Sequence, residues 1–321
     1  MGNYLLRRVF QIPITLLGII VFLFLLIHLA PGDPIIALAG EYGNEAYYSE
    51  MRAKFGLDRP VYEQLGVYLL ALVRGDLGYS YVIGQPVAAI ILSRLPTTLL
   101  LMGTAFLISS VSGIVMGVLA ARKPDSPVDL SISIFSLVGY ALPVFWLAQM
   151  MIFFLAGKLG WFPIYGLTSA RERYTGFRLA VDVAHHLALP AAALAVQQVA
   201  LVTRLTRAGM IDALAQPFAT AVRAKGVSDR RLHLRHALRN ALLPVVTVLG
   251  GRVGYLFTGA VLTETVFAWP GLGRLLLEAT INRDYPILMG MFLMISGMVI
   301  VFNLLTDIIY VYIDPRIKYD R

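Results

Sequence analysis

The chain has 321 residues, 58% hydrophobic and 14% charged, with a formal net charge of +8. A soluble domain is roughly 45–50% apolar and about 25% charged, so this composition excludes an ordinary soluble fold and points to a membrane bundle. The absence of cysteine excludes disulfides, thiolate metal sites and a cysteine nucleophile.

Crossing about 30 Å of hydrocarbon as a helix takes about 20 apolar residues. Six runs meet that need: 9–30, 97–121, 130–156, 187–202, 241–262 and 287–313, the fourth being the shortest. The first follows Arg7-Arg8, and Ala37-Leu38-Ala39 loosely resembles a leader cleavage site. The run exceeds the apolar core of a signal peptide, and Pro31-Gly32-Asp33-Pro34 intervenes, so it reads as a span. Between the first two runs, 64–73 and 86–95 read as surface amphipathic helices around a turn at Gly75-Asp76-Leu77-Gly78. The expected layout is one span plus an external layer over 1–95, then a five-span body over 96–313 with an inner loop at 205–240. A tail, 314–321, closes the chain.

Orientation follows the Lys/Arg bias. Segment 203–240 holds Arg204, Arg207, Arg223, Lys225, Arg230, Arg231, Arg235 and Arg239 against Asp212 and Asp229. The outer loop 31–96 leans acidic. Residues 158–182 run slightly the other way, with Lys158, Arg171, Arg173 and Arg178 against Glu172 and Asp182. The large basic segment decides the orientation and places both termini in the cytoplasm. Its charge is a topology signal with affinity for anionic membrane lipid, and no spacing in it suits nucleic acid.

No Gly-rich phosphate loop, His-Glu-x-x-His or Gly-x-Ser-x-Gly occurs, so the chain has no nucleotide-binding or hydrolytic motif of its own. His185 and His186 are adjacent, about 100° apart on a helix, and make no two-ligand metal face. His28 reads as an interface residue. Embedded charge is sparse. Arg252, midway along the fifth run, reads either as a translocation-path residue or as a structural partner of Glu264. Gln197 and Gln198 suit hydrogen bonding between helices, the favoured reading, or the path. Gly113-x-x-x-Gly117 and Gly250-x-x-x-Gly254 allow close helix approach. The scarcity of midplane ionisable groups argues against an ion-coupled carrier acting alone, so another component must supply the drive.

The most informative stretch is 211–244. Gln216-Pro217 interrupts one helical pattern, and a compact helix follows over Phe218, Ala219, Thr220, Ala221, Val222, Arg223, Ala224 and Lys225. Gly226 stops it at a position suited to positive φ, and after Val227 a capping Ser228 opens a second helix over 229–239. A rigid corner with a small apolar tip and surrounding cations suits docking to a soluble partner. The alternative is an amphipathic loop lying on the membrane.

Ala221-Val222-Arg223-Ala224-Lys225-Gly226-Val227-Ser228 and the later Arg235-His236-Ala237-Leu238-Arg239-Asn240-Ala241-Leu242-Leu243-Pro244 resemble the permease subunits of dipeptide, oligopeptide and nickel ABC importers. The same family pattern is met at Pro31-Gly32-Asp33-Pro34, Phe55-Gly56-Leu57-Asp58-Arg59-Pro60 and Gly75-Asp76-Leu77-Gly78. It recurs at Glu264-Thr265-Val266-Phe267-Ala268-Trp269-Pro270-Gly271-Leu272-Gly273-Arg274, Arg283-Asp284-Tyr285-Pro286 and Asp314-Pro315-Arg316-Ile317. The pattern is that of the B-type subunit. The resemblance implies an all-α type I importer permease fold with about six transmembrane helices in a bacterial inner membrane. It implies three kinds of protein partner: a homologous second permease, two cytoplasmic ATPases that bind ATP and Mg, and an external binding protein. It implies no cofactor and no metal in this chain. The family's Glu-Ala-Ala-x-x-x-Gly coupling loop falls on Thr220, Ala221, Val222 and Gly226, with Thr220 in place of the Glu and Val222 in place of the second Ala. Gln216-Pro217-Phe218 also departs from the family's usual acids and Tyr. Glu264, Trp269, Pro270, Gly271, Gly273 and Arg274 form a candidate outer gate or docking turn. The implied cargo is a di- or oligopeptide, with nickel or glutathione as alternatives and a stand-alone carrier or channel as the reading from another class.

Overall fold

The computed structural model describes residues 2–29, 35, 44–251 and 253–313. Among them the fold is helical, and the only β pairing is a single bridge between Tyr79 and Pro86. The chain divides into two compact units, one of residues 1–96 and 271–301, the other of 97–270 with the chain from 302 onward.

In the first unit, α1 (Gly2–Leu29) buries Ile20 and Phe24 against Met289 and against Leu65, Tyr68, Leu69 and Leu72. Its other face leaves Ile14, Phe22 and Leu29 exposed, a surface suited to hydrocarbon and not to water. The connection beyond it is more helical than its sequence suggests. Asn44 caps α2 (Glu45–Phe55), its side chain accepting the Tyr47 N–H at 2.8 Å, and Gly56 ends α2 at φ 67°. Then come α3 (Val61–Val73) and the expected turn, in which Asp76 accepts the Gly78 N–H at 2.8 Å. The predicted surface helix at 86–95 is instead the start of α4 (Val87–Arg122), which runs unbroken through Pro96. Membrane helices tolerate proline when neighbours satisfy the freed carbonyl. The unit closes with α12 (Leu272–Ile281) and the first half of α13 (Tyr285–Ile313). Between these two helices, Asp284 accepts the Ser80 hydroxyl and the Tyr81 and Val82 N–H groups at 3.2 and 3.3 Å. That pin gives Arg283-Asp284-Tyr285-Pro286 a structural reason.

In the second unit the third predicted span is not one straight helix. It is α5 (Pro127–Ala141) and α6 (Val144–Met151, continuing as a π-helical turn over Ile152–Lys158), bent by 104°. Pro143 causes the break, since it has no N–H and disfavours helix at the preceding residue. Gln197 donates to the Leu142 carbonyl at 2.8 Å there, which gives the packing reading of Gln197 a concrete form. The shortest predicted run becomes the longest helix, α7 (Phe177–Ala215), 39 residues or about 58 Å. Its polar ends extend well past the apolar stretch.

The approach of α4 to α7 depends on glycine. A Cβ on Gly113 would lie 2.6 Å from that of Val202, and one on Gly117 would lie 2.5 Å from that of Thr206. The fifth predicted run appears as α10 (Leu238–Gly251) and α11 (Val253–Val266) on either side of Arg252. Arg252 lies outside the described residues, as do Pro31-Gly32-Asp33-Pro34 and Asp314-Pro315-Arg316-Ile317. The Gly250–Gly254 pattern straddles that position. Among the described residues, four helices are long and apolar enough to cross a membrane alone, or five if the bent pair is one span.

Candidate functional site

The corner at 216–238 is built by three chain breakers. Gln216 is extended (ψ 152°) and ends α7, and Pro217 takes the first position of α8 (Pro217–Ala224), where its missing N–H costs nothing. Gly226 then turns the chain at φ 73°, its N–H meeting the Arg223 carbonyl at 2.9 Å. The second arm differs from expectation. Ser228 occupies the cap position, but its side chain makes no capping bond to α9 (Asp229–Arg231). The helix continues as a π-helical stretch, Leu232–Ala237, directly into α10. The second arm therefore runs on into α10, while the first is the short helix α8, set off from α7 at Gln216-Pro217.

Its base is a packed apolar cluster of Val118, Ala121, Met210, Ala213, Ala237 and Ala241, with Phe218 and Leu238 against it. Ala219 is buried, not at the tip as its sequence suggests, while Phe218, Val222 and Val227 are half-buried. Thr220, Ala221, Arg223, Ala224, Lys225, Gly226 and Ser228 are exposed. Gly209 lets α7 meet α10 closely, since a Cβ there would fall 3.0 Å from the Ala241 carbonyl oxygen. The Arg223–Asp229 pair, 3.9 Å apart on the surface, contributes little.

A second contact at this base was not singled out from sequence. Arg207 grips Asp129 at the start of α5 through two bonds of 2.6 and 2.7 Å. Asp129 is nearly inaccessible and also accepts the Asp125 N–H at 2.9 Å. Ser126-Pro127 ahead of Asp129 signals the helix start, but nothing in the sequence pairs it with an arginine far along the chain.

At the other end of this unit, Glu264 is fully buried and accepts the Thr98 hydroxyl at 2.6 Å. Trp269 is also fully buried, and its indole N–H donates to the Thr97 carbonyl at 3.0 Å. The Thr97 hydroxyl in turn donates to the Pro270 carbonyl at 2.7 Å. The 264–270 turn is thus fastened to α4 by consecutive threonines. Gly271 precedes α12, Gly273 is buried on it, and Arg274 pairs with Glu278 at 2.8 Å. Gln198 is buried with both side-chain polar atoms unpartnered, whereas Gln197 serves the bend. The neighbouring histidines diverge. A His185 ring nitrogen lies 2.8 Å from the Trp161 carbonyl, and one of His186 lies 2.9 Å from that of Asp182.

The described residues are helical and include several helices long and apolar enough to cross a membrane. Comparison with known proteins narrows this. The model of the binding-protein-dependent transport system inner membrane component matches residues 113–319, and the model of that family's N-terminal part matches 1–102. The oligopeptide transport system permease protein AppB of Bacillus subtilis is 40% identical over 99% of this chain and 100% of its own length. The dipeptide transport system permease protein DppB of Escherichia coli K12 is 37% identical over 100% of both chains. A crystal structure of the inward-facing MetNI methionine ABC transporter shares the fold, with TM-score 0.56 and 16% identity over 70% of this chain and 96% of that one. The chain belongs to the binding-protein-dependent transport system inner membrane component family, as a permease subunit of an ABC importer. It is a membrane subunit, not an enzyme, with the all-α fold of type I importers.

Proposed function

We propose that this chain forms half of a peptide translocation path in a bacterial inner membrane, beside a homologous second permease. An external binding protein delivers di- or oligopeptides, and two cytoplasmic ATPases bind ATP and Mg and supply the drive. The observation that carries this reading is the Gly226 corner, because one arm continues into α10 and the other, α8, joins α7 through the single break at Gln216-Pro217. Thr220, Ala221, Arg223, Ala224 and Lys225 are the accessible surface for an ATPase cleft, and Phe218 seats the corner on its base. Closure of an ATPase dimer would move the corner as a rigid body, and the two helices would tilt between inward- and outward-facing states. Gln198 and Arg252 are assigned to the path, Gln197 to the α5–α6 bend, and Glu264, Trp269 and Pro270 to the outer gate. The carry-over of cargo rests on the peptide-transporting relatives. Nickel and glutathione are the alternatives within the class.

Gly226→Val tests the corner. Nothing lies within 4 Å of a Cβ at Gly226, so the variant adds backbone strain alone, about 1–2 kcal/mol in the left-handed region. Uptake and peptide-stimulated ATP hydrolysis in the reconstituted complex should fall together, and Gly226→Asn should retain more of both. Normal coupling in a well-folded Gly226→Val protein would remove the rigid-corner mechanism.

A further inference from the structure

Residues 159–176 join the π-helical end of α6 to α7 without helix or strand. A connection of that length with no regular structure is uncommon and usually functional. Its first part is held at several points. The Trp161 N–H donates to the Leu155 carbonyl at 2.9 Å, and the Trp161 carbonyl lies 2.8 Å from a ring nitrogen of His185 on α7. Phe162 packs against the cluster of Ala148, Ala156, Leu189, Ala193 and Phe267, with its ring centre 5.5 Å from that of His185. Gly166, at φ 90°, donates its N–H to the Phe267 carbonyl at 2.9 Å. Ser169 then gives both its N–H and its hydroxyl to the Asp182 carboxylate on α7, at 2.8 and 2.6 Å. That carboxylate is buried, with a His186 ring nitrogen 3.4 Å away. Bonds to an ionised carboxylate are strong, and a buried acceptor is costly to leave without its donors.

The 264–270 turn therefore has two anchorages. Thr97 and Thr98 hold it to α4 directly, and residues 161–169 tie Phe267 to α7. The other end of α7 meets the corner at Gln216. Ties at 161, 166 and 169 leave little slack, so a shift at the start of α7 reaches Phe267 through the segment. We propose that residues 161–169 are a strap that makes the 264–270 turn follow α7, with Ser169 and Asp182 as positioning residues for transport. The strap rests on the gate and corner assignments above and deepens them by naming what joins the two.

The test breaks and remakes the tie between Ser169 and Asp182 in the full complex. Asp182→Ala should speed hydrogen exchange at Gly166 and at 267–269 about tenfold, the loss of one charge-assisted bond. Asp182→Asn, which keeps one acceptor oxygen, should speed it less. The chain has no cysteine, so Ser169→Cys with Asp182→Cys gives a reversible tie when the other subunits are cysteine-free. A one-methylene methanethiosulfonate linker joins the pair and dithiothreitol releases it. The released pair should exchange as Asp182→Ala does, and the joined pair as wild type. In proteoliposomes, alanyl-phenylalanine taken up per ATP hydrolysed should fall several-fold on release and recover on joining, a ratio that loss of folded protein does not change. Exchange at 267–269 indifferent to the tie would overturn the strap, because packing of Phe267 would then hold the turn alone. Uptake blocked in the joined pair, or an unchanged uptake ratio despite faster exchange on release, would overturn the positioning role. ATP hydrolysis without alanyl-phenylalanine uptake by the wild type, with exchange still governed by the tie, would support the strap and sink the peptide reading.

Discussion

Alanine at Gly117 and alanine at Gly103 are the same chemical change on the same helix, with opposite expected outcomes. At Gly103 a Cβ meets nothing within 4 Å. The substitution there removes the entropic penalty of a helical glycine and should stabilise by about 0.5–1 kcal/mol. At Gly117 the new carbon would sit 2.5 Å from the Thr206 Cβ and 2.8 Å from the Thr203 carbonyl oxygen. The second contact is with backbone, so no rotamer change relieves it and α4 must move off α7. Overpacking of this kind costs typically about 1–3 kcal/mol, and three contacts below 3.0 Å place Gly117→Ala in the upper half of that range. Thermal unfolding of the purified variants in one detergent should therefore order them as Gly103→Ala, wild type, Gly117→Ala. Trimming Thr206 to serine should give little rescue, because its Cβ and the Thr203 carbonyl remain. Equal midpoints for the two alanine variants would refute the close-packing account of the α4–α7 contact.

Arg207→Ala should destabilise by about 1–3 kcal/mol, less than the loss of a fully buried pair because the Arg207 side chain is 30% exposed. A double-mutant cycle with Asp129→Ala should return a coupling of the same order. Trp269→Phe should cost about 1 kcal/mol through the lost bond to Thr97 and should speed hydrogen exchange at 97–98. Ser80→Ala should loosen the 79–85 turn, read as faster protease cleavage there, with little change in cleavage at the 216–238 corner.

Sequence periodicity makes the apolar helices readable, but their ends depend on contacts between distant residues. Arg204 and Arg207 read as a soluble loop because they are charged. They sit on α7 because Arg207 finds Asp129 and the Arg204 guanidinium lies 5.1 Å from the Tyr140 ring centre. Pro143 is a visible breaker, but the 104° bend also depends on Gln197 satisfying the Leu142 carbonyl. Pro96 looks like a similar breaker and is not one. The chain turn at Gly226 is legible because its signals, Pro217 and Gly226, are local backbone constraints. Where the second arm ends was not, since Leu232–Ala237 continues into α10 by packing rather than by any cap.

The central claim is that the exposed tip at Ala221 to Gly226 meets a cytoplasmic motor. The chain has no cysteine, so Ala221→Cys provides a unique thiol for a membrane-impermeant maleimide. Inverted vesicles should label strongly once the ATPase subunits are stripped and weakly with them bound, while intact cells should not label. Labelling from outside intact cells, or labelling indifferent to the ATPase subunits, would contradict the account.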